Sequence, residues 1–164
     1  MSTDLKDRGQ TERRLWDGIE HNNTGMLGLT GGGSHFQPMT AFLDAENGRI
    51  WFFTRDDSDL VQDLGDGAEA MYIHQQKDVQ ACIRGELRPD LDQARVEKYW
   101  NAVVAAWYPD GKSDRHLRLL RLDCADAQVW ISDAGPLKFA WEIAKANATG
   151  QTPDIGGSTH LNLQ

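Results

Sequence analysis

The stretch HFQPMTAF, His35–Phe42, followed after one turn by IWFFTRDDSDLV, Ile50–Val61, decides how this chain is read. It looks like two neighbouring strands, the second running into a short helix, joined through the hairpin signal Glu46-Asn47-Gly48. Pro38 has no N–H to give a central ladder, so its strand is expected at an edge or bulged at that point. An interrupted strand leaves backbone groups that a flat ring system with polar edges could use. Thr54 closes the second strand and Ser58 opens the helix after it. Their hydroxyls, together with N–H groups at a helix start, suit a phosphate. Thr and Ser are equally ordinary at strand ends and N-caps, so the residues alone leave both readings open.

Working outward, the remaining chain alternates turn signals with short apolar runs. Leu15, Trp16 and Ile19 fall at helical spacing within a helix expected over 11–22. GMLGLT, AEAMYIHQ, DVQACIRGEL, RHLRLLRLDC and AQVWIS read as further strands, with Gly85 near the end of the third of these. A short helix is expected from Ser58 to Leu64. A continuous one is expected from about Leu91 to Trp107, where Val96, Trp100, Val103, Val104 and Trp107 make one apolar face. The last helix is expected over Pro136–Ala146, with Leu137, Ala140, Trp141 and Ala144 on one face. Six or seven strands in hairpins, with helices between hairpins rather than after every strand, predict an antiparallel barrel or sandwich. The domain is expected to span 11–146, with 1–10 and 147–164 as polar terminal segments.

Composition narrows the function. The chain has 164 residues, 40% apolar and 26% charged, enough for a core without staples. A net charge of −8 argues against a nucleic-acid surface, and the basic run RHLRLLR is interleaved with leucines as one solvated strand face. Cys82 and Cys124 stand alone and are expected to be reduced and buried. The polar start MSTDLKDRGQTERR shows no targeting segment and no run is long enough to span a bilayer, so a cytoplasmic location is expected. The histidines His21, His35, His74, His116 and His160 lack metal-ligand spacing. DDSDLVQDLGDG departs from a calcium loop at Val61, GGGS lacks the Lys-Ser/Thr of a phosphate loop, and no nucleophile motif is present.

The order QPM, then D-x-x-N-G-R-I-WFFT, then DSDLV, resembles the flavin-binding split barrels related to pyridoxamine 5′-phosphate oxidase. The blocks YWNAVVAAWYPDGKSD and LLRLDCADAQVWIS are similar to the general stress protein branch of that family, and the resemblance covers about Thr11 to Ala144. It implies a mainly β, α+β fold: a six-stranded antiparallel split barrel with helices at its ends. It also implies a homodimer holding two flavins, FMN or FAD, at the subunit interface. By position, Gln37, Pro38 and Met39 would line the flavin, and Phe53 and Thr54 would close its phosphate side. Ser58 with its neighbours Asp59 and Leu60 would hold the phosphate. The partner would contribute from near Gln80 and Trp130. Trp107, Gly111 and Asp114 match the branch's own loop at the dimer edge or pocket rim.

This chain also departs from the family pattern. Gln37-Pro38-Met39 stands where the family typically reads Arg-Pro-Met, and the helix start is Arg55-Asp56-Asp57-Ser58-Asp59, with only Arg55 positive. A phosphate monoester carries close to two charges and bidentate arginine is its strongest ordinary partner, so FMN binding is expected to be weakened there. The tail GGSTHLNLQ lacks the Arg-x-His substrate signature of the true oxidases, so vitamin B6 oxidation is not expected. The expectations are a flavin-nucleotide-binding, stress-related protein acting as an oxidoreductase on a small substrate, or a non-enzymatic dimeric binding module that has lost FMN. A relative using haem or a deazaflavin, with His35 or His74 as a ligand, is the third.

Overall fold

In the computed structural model, residues 3–4 and 7–164 are described. The polar segment 1–10 lies partly outside those residues. Helix α1, Arg8–His21, starts where the Asp7 carboxylate accepts from the Gln10 amide at 2.9 Å, and it buries Leu15, Trp16 and Ile19. The expected apolar stripe is therefore the stripe that packs.

Strand β2, Thr24–Leu29, pairs antiparallel with β3, Gln37–Thr40, on one side. On its other side lies β6, Ala68–Gln75. After the single residue Ala41 the chain continues as β4, Phe42–Asp44, which pairs with β5, Arg49–Arg55. Strands β3 and β4 are thus two halves of one strand that changes partner at Ala41, whose amide donates to the Asn23 carbonyl at 2.6 Å. Pro38 faces Met26 of β2, and among the described residues no strand pairs with the far side of β3, a position that suits a residue without an N–H.

Strand β7, Val79–Pro89, links β6 to β8, Leu117–Ser132. The first half of β8 pairs with β5, from Arg55↔Leu117 to Arg49↔Asp123. Counting β3 and β4 as one, the ring β3/β4–β2–β6–β7–β8–β5 closes on itself. That is the expected six-stranded barrel. It splits along β8: the second half of β8 leaves β5 and pairs with β9, Gly156–Asn162, from Asp126↔Asn162 to Ser132↔Gly156. Strand β9 lies within the stretch read as a polar terminal segment, and the backbone of β1, Thr3–Asp4, runs parallel beside it.

The β7–β8 ladder shifts register between Arg84 and Gly85. A Cβ on Gly85 would come within 2.1 Å of the Asp123 carbonyl, so only glycine admits this approach. The barrel interior is filled from alternate positions of these strands, including Leu27, Ile50, Phe52, Tyr72, Ile83 and Leu122, all at 0% exposure. Helix α2, Asp59–Leu64, covers one end with Leu60 and Leu64.

The continuous helix expected over 91–107 is broken. Helix α3, Gln93–Tyr99, stops at Trp100, which is extended with ψ 131°, and α4, Ala102–Ala105, starts afresh. The cause is Asn101, whose side-chain oxygen accepts from the Val104 amide at 2.9 Å and caps the new helix. Trp100 then packs edge-on to Phe53 at 6.0 Å. The last helix, α5, Pro136–Thr149, extends slightly beyond the expected 136–146 and ends at Gly150.

Candidate functional site

The change of partner at Ala41 and the break at Asn101 leave one cavity of about 620 Å³ beside the end of β5. Its floor is Gln37, Pro38, Met39 and Thr40 of β3, with Asn23 and Thr24 from the chain beside it. Its aromatic wall is Phe42 and Phe53, stacked edge to face at 5.5 Å. Thr54, Arg55, Asp57 and Ser58 close one corner, and Asn101, Val103, Val104, Trp107 and Tyr108 form the opposite rim.

Of the residues singled out from sequence, the structure brings Gln37, Pro38, Met39, Phe53, Thr54, Arg55, Ser58 and Trp107 to this one cavity. Leu60 is 3% exposed and packs inward in the core, and Asp59 is exposed in the first turn of α2. Gln80 and Trp130 are cross-strand partners on β7 and β8, outside the cavity of their own chain. His74 also lies elsewhere: its ring is fully buried, and a Cβ placed on Gly18 of α1 would meet Nε2 at 3.1 Å.

The corner where Thr54 meets Ser58 is tightly cross-linked. Thr54 Oγ1 donates to Ser58 Oγ at 3.4 Å, and Ser58 Oγ accepts from the Val61 amide at 3.3 Å as the N-cap of α2. The Tyr108 hydroxyl reaches across to donate to the Thr54 carbonyl at 2.7 Å. Burial pushes the Tyr108 hydroxyl up to about 12, so at neutral pH it is a fixed donor rather than an acid or base. Sequence reasoning missed Tyr108 because nothing local marks it. Its partner lies 54 residues away. Asn101 was also missed, although an N-cap residue before an apolar run was a signal for it.

Among the described residues, Arg55 and Asp57 are the only charged ones on the cavity wall. Arg55 Nε donates to one Asp57 carboxylate oxygen at 3.1 Å and Nη2 donates to the other at 3.2 Å. Bonding to the Arg55 guanidinium holds the Asp57 carboxyl below the usual carboxylate range. Neighbouring Asp56 is engaged outside the cavity, by His116 Nδ1 at 2.9 Å and Arg118 at 3.4 Å. Asp114, from the loop Tyr108–Asp114, is 7% exposed and accepts from the His116 and Asp110 amides at 2.9 and 3.3 Å. Those backbone bonds, the His116 amide first, lower its carboxyl. Its part is to brace the loop that carries Tyr108.

The donor set fits a flavin ring. Aromatic and thioether side chains make the apolar walls, and the Gln37 amide, whose nearest partner is Met39 Sδ at 4.0 Å, is free to face a polar ring edge. The Thr54–Ser58 corner offers hydroxyls and one guanidinium to an anion, but the Arg55–Asp57 pair brings no net charge.

Residues 10–154 match the family described as pyridoxamine 5′-phosphate oxidase like. Among solved structures, a general stress FMN/FAD binding protein from Xanthomonas citri is 41% identical, covering 77% of this chain and 92% of that one with a TM-score of 0.71. A chain from Xanthomonas campestris pv. campestris assigned to the general stress family is 40% identical, covering 80% and 93% with a TM-score of 0.72. One from Jannaschia sp. CCS1 assigned as general stress protein 26 is 29% identical, covering 93% and 98% with a TM-score of 0.79. No curated protein matches. Among the described residues, no helix is long and apolar enough to cross a membrane.

Proposed function

The chain belongs to the general stress branch of the pyridoxamine 5′-phosphate oxidase-like family, and from that premise we propose that it binds a flavin nucleotide in the cavity beside β5 and works as a flavin-dependent oxidoreductase on a small substrate. The single observation that carries this reading is the convergence of Gln37–Met39, Phe53, Thr54 and Ser58 on one cavity of about 620 Å³. A bound flavin would supply hydride or electron transfer. The chain's residues do the rest. Phe42, Phe53 and Met39 exclude water from one side of the ring. The Gln37 amide orients it through a polar edge. Thr54 and Ser58, held by Tyr108 and by the α2 cap, present the phosphate corner.

The functional unit in this reading is a homodimer, with Gln80 and Trp130 of each chain facing the other's cavity, in the cytoplasm. Exposed apolar side chains support the pairing. Trp130 is 42% exposed, and Trp107 and Val103 at the cavity mouth are 69% and 73% exposed. Helix α5 leaves Leu137 at 89% and Trp141 at 65%. The barrel domain, 11–146, is the part that builds the cavity.

The test is an absorbance spectrum of the protein as purified, followed by fluorescence titration with riboflavin, FMN and FAD. Visible flavin bands, or saturable quenching at low micromolar ligand, are the expected result. The net-neutral Arg55–Asp57 pair favours a second reading, in which the dimer is a binding module that no longer holds FMN. Absence of saturable binding by any of the three flavins, in protein shown to be folded, would select it.

A further inference from the structure

Resting on the flavin reading, we propose that Asp57 is the specificity-determining residue of this site: by holding Arg55 in a net-neutral pair on the cavity wall, it selects a nucleotide whose phosphate there is a singly charged diester, as in FAD, over the near-dianionic terminal phosphate of FMN.

Three observations converge on this. First, Arg55 is the only cation on the wall among the described residues, and its Nε and Nη2 both point at the Asp57 carboxylate. The side-on edge of the guanidinium is used, so a ligand reaches Arg55 only through the end-on N–H groups of Nη1 and Nη2. Second, Asp57 itself lines the cavity, so any phosphate that reaches Arg55 also meets this carboxylate. Repulsion grows with the ligand's charge: a monoester carries about 1.5–2 charges at pH 7, whereas each phosphate of a diphosphate diester carries about one. Third, the corner opens outward. The Arg55 and Asp57 side chains are 37% and 63% exposed, so a ligand continuing past its phosphate runs into solvent rather than into a wall. The Arg118 guanidinium adds little to the corner, because it is engaged by Asp56 and by the Arg115 and Leu117 carbonyls.

The experiment titrates riboflavin, FMN and FAD into the full-length protein and into Asp57→Asn, at low salt and at about 0.5 M salt. The amide keeps the size of the side chain and removes its charge. The wild type is expected to bind FAD more tightly than FMN. Asp57→Asn should tighten FMN about tenfold, FAD clearly less, and riboflavin less than about twofold, and the FMN gain should shrink at high salt because the corner is exposed to screening. An unchanged ratio of FMN to FAD affinity in Asp57→Asn overturns the role of Asp57 while leaving the flavin reading standing. A wild type that prefers FMN overturns it equally. If neither protein binds riboflavin or either nucleotide, the flavin reading has failed and this inference with it.

Discussion

Helices α1 and α5 have the same length, 14 residues each, and both carry an apolar stripe, yet they end in opposite environments. In α1 the stripe is sealed: Leu15 and Ile19 are at 0% exposure. In α5 the only buried residue is Glu142, which accepts from the Asp154 amide and Lys145 at 3.0 Å, while Leu137, Phe139 and Trp141 stay open. Amphipathic periodicity states that a helix needs an apolar partner and says nothing of where the partner is. For α1 the partner is the barrel of its own chain. For α5 no described residue of its own chain covers the stripe, and the homodimer proposed above is the partner expected to cover it.

The sharpest way to break this comparison is to truncate both stripes. Leu15→Ala is expected to cost about 2–5 kcal/mol in urea unfolding, because a fully buried leucine leaves a cavity. Leu137→Ala, measured in dilute protein, is expected to stay within about 0.5 kcal/mol of wild type. Equal losses would mean that α5 packs on its own barrel after all.

A smaller effect is expected on association. Leu137→Ser combined with Trp141→Ser should weaken self-association about tenfold or more by sedimentation equilibrium, since exposed apolar anchors dominate interface energy. The fold should remain intact by circular dichroism. A dimer as tight as wild type would remove α5 from the interface and leave Trp107 and Trp130 as the apolar surface to test.

The same contrast explains what was legible beforehand. Pro38 on an edge, the Asn47-Gly48 hairpin and the Thr54–Ser58 corner are local devices, written in a few adjacent residues, and they were readable. Helices α1 and α5 were both readable from their apolar spacing, which did not say that only α1 packs on its own barrel. The break at Trp100–Asn101 was overridden in the reading by a run of apolar residues at helical spacing, although Asn101 is a good N-cap. Strand β9 was missed because GGSTHLN is polar at several positions and takes its place from β8, not from its own pattern. Tyr108, on the cavity rim, is tied to the Thr54 corner by a hydroxyl bond that spans 54 residues. Such long-range pairings have no local signal.

Beneath α1 the seal is tight enough to reverse an ordinary propensity. Replacing a mid-helix glycine by alanine usually stabilises by about 0.5–1 kcal/mol. At Gly18 the new Cβ would meet His74 Nε2 at 3.1 Å and Gln76 Oε1 at 3.2 Å, both in a buried layer. Gly18→Ala is therefore expected to lose about 1 kcal/mol in thermal unfolding. A gain would show that the layer beneath α1 can yield.

The smallest effect is a pH dependence from that same layer. His74 is fully buried and neither ring nitrogen makes a well-formed hydrogen bond among the described residues, so burial lowers its pKa below the usual histidine value. The nearby Gln76 side chain and Asp78 oppose this without cancelling it. The unfolded chain then binds a proton that the folded chain refuses, so stability is complete above about pH 6.5 and falls as pH drops below it. Between pH 7.5 and 6.0 the loss from one such group is under about 1 kcal/mol. It should disappear in His74→Gln, which keeps a polar side chain but cannot titrate. Carboxylates lowered by their partners, such as Asp57 and Glu142, lose their contribution only below the ordinary carboxylate range, so they do not confuse this window. A wild type whose stability is flat from pH 7.5 to 6.0 would mean that the layer between α1 and β6 admits water to the imidazole, and the seal that distinguishes α1 from α5 would be looser than its packing indicates.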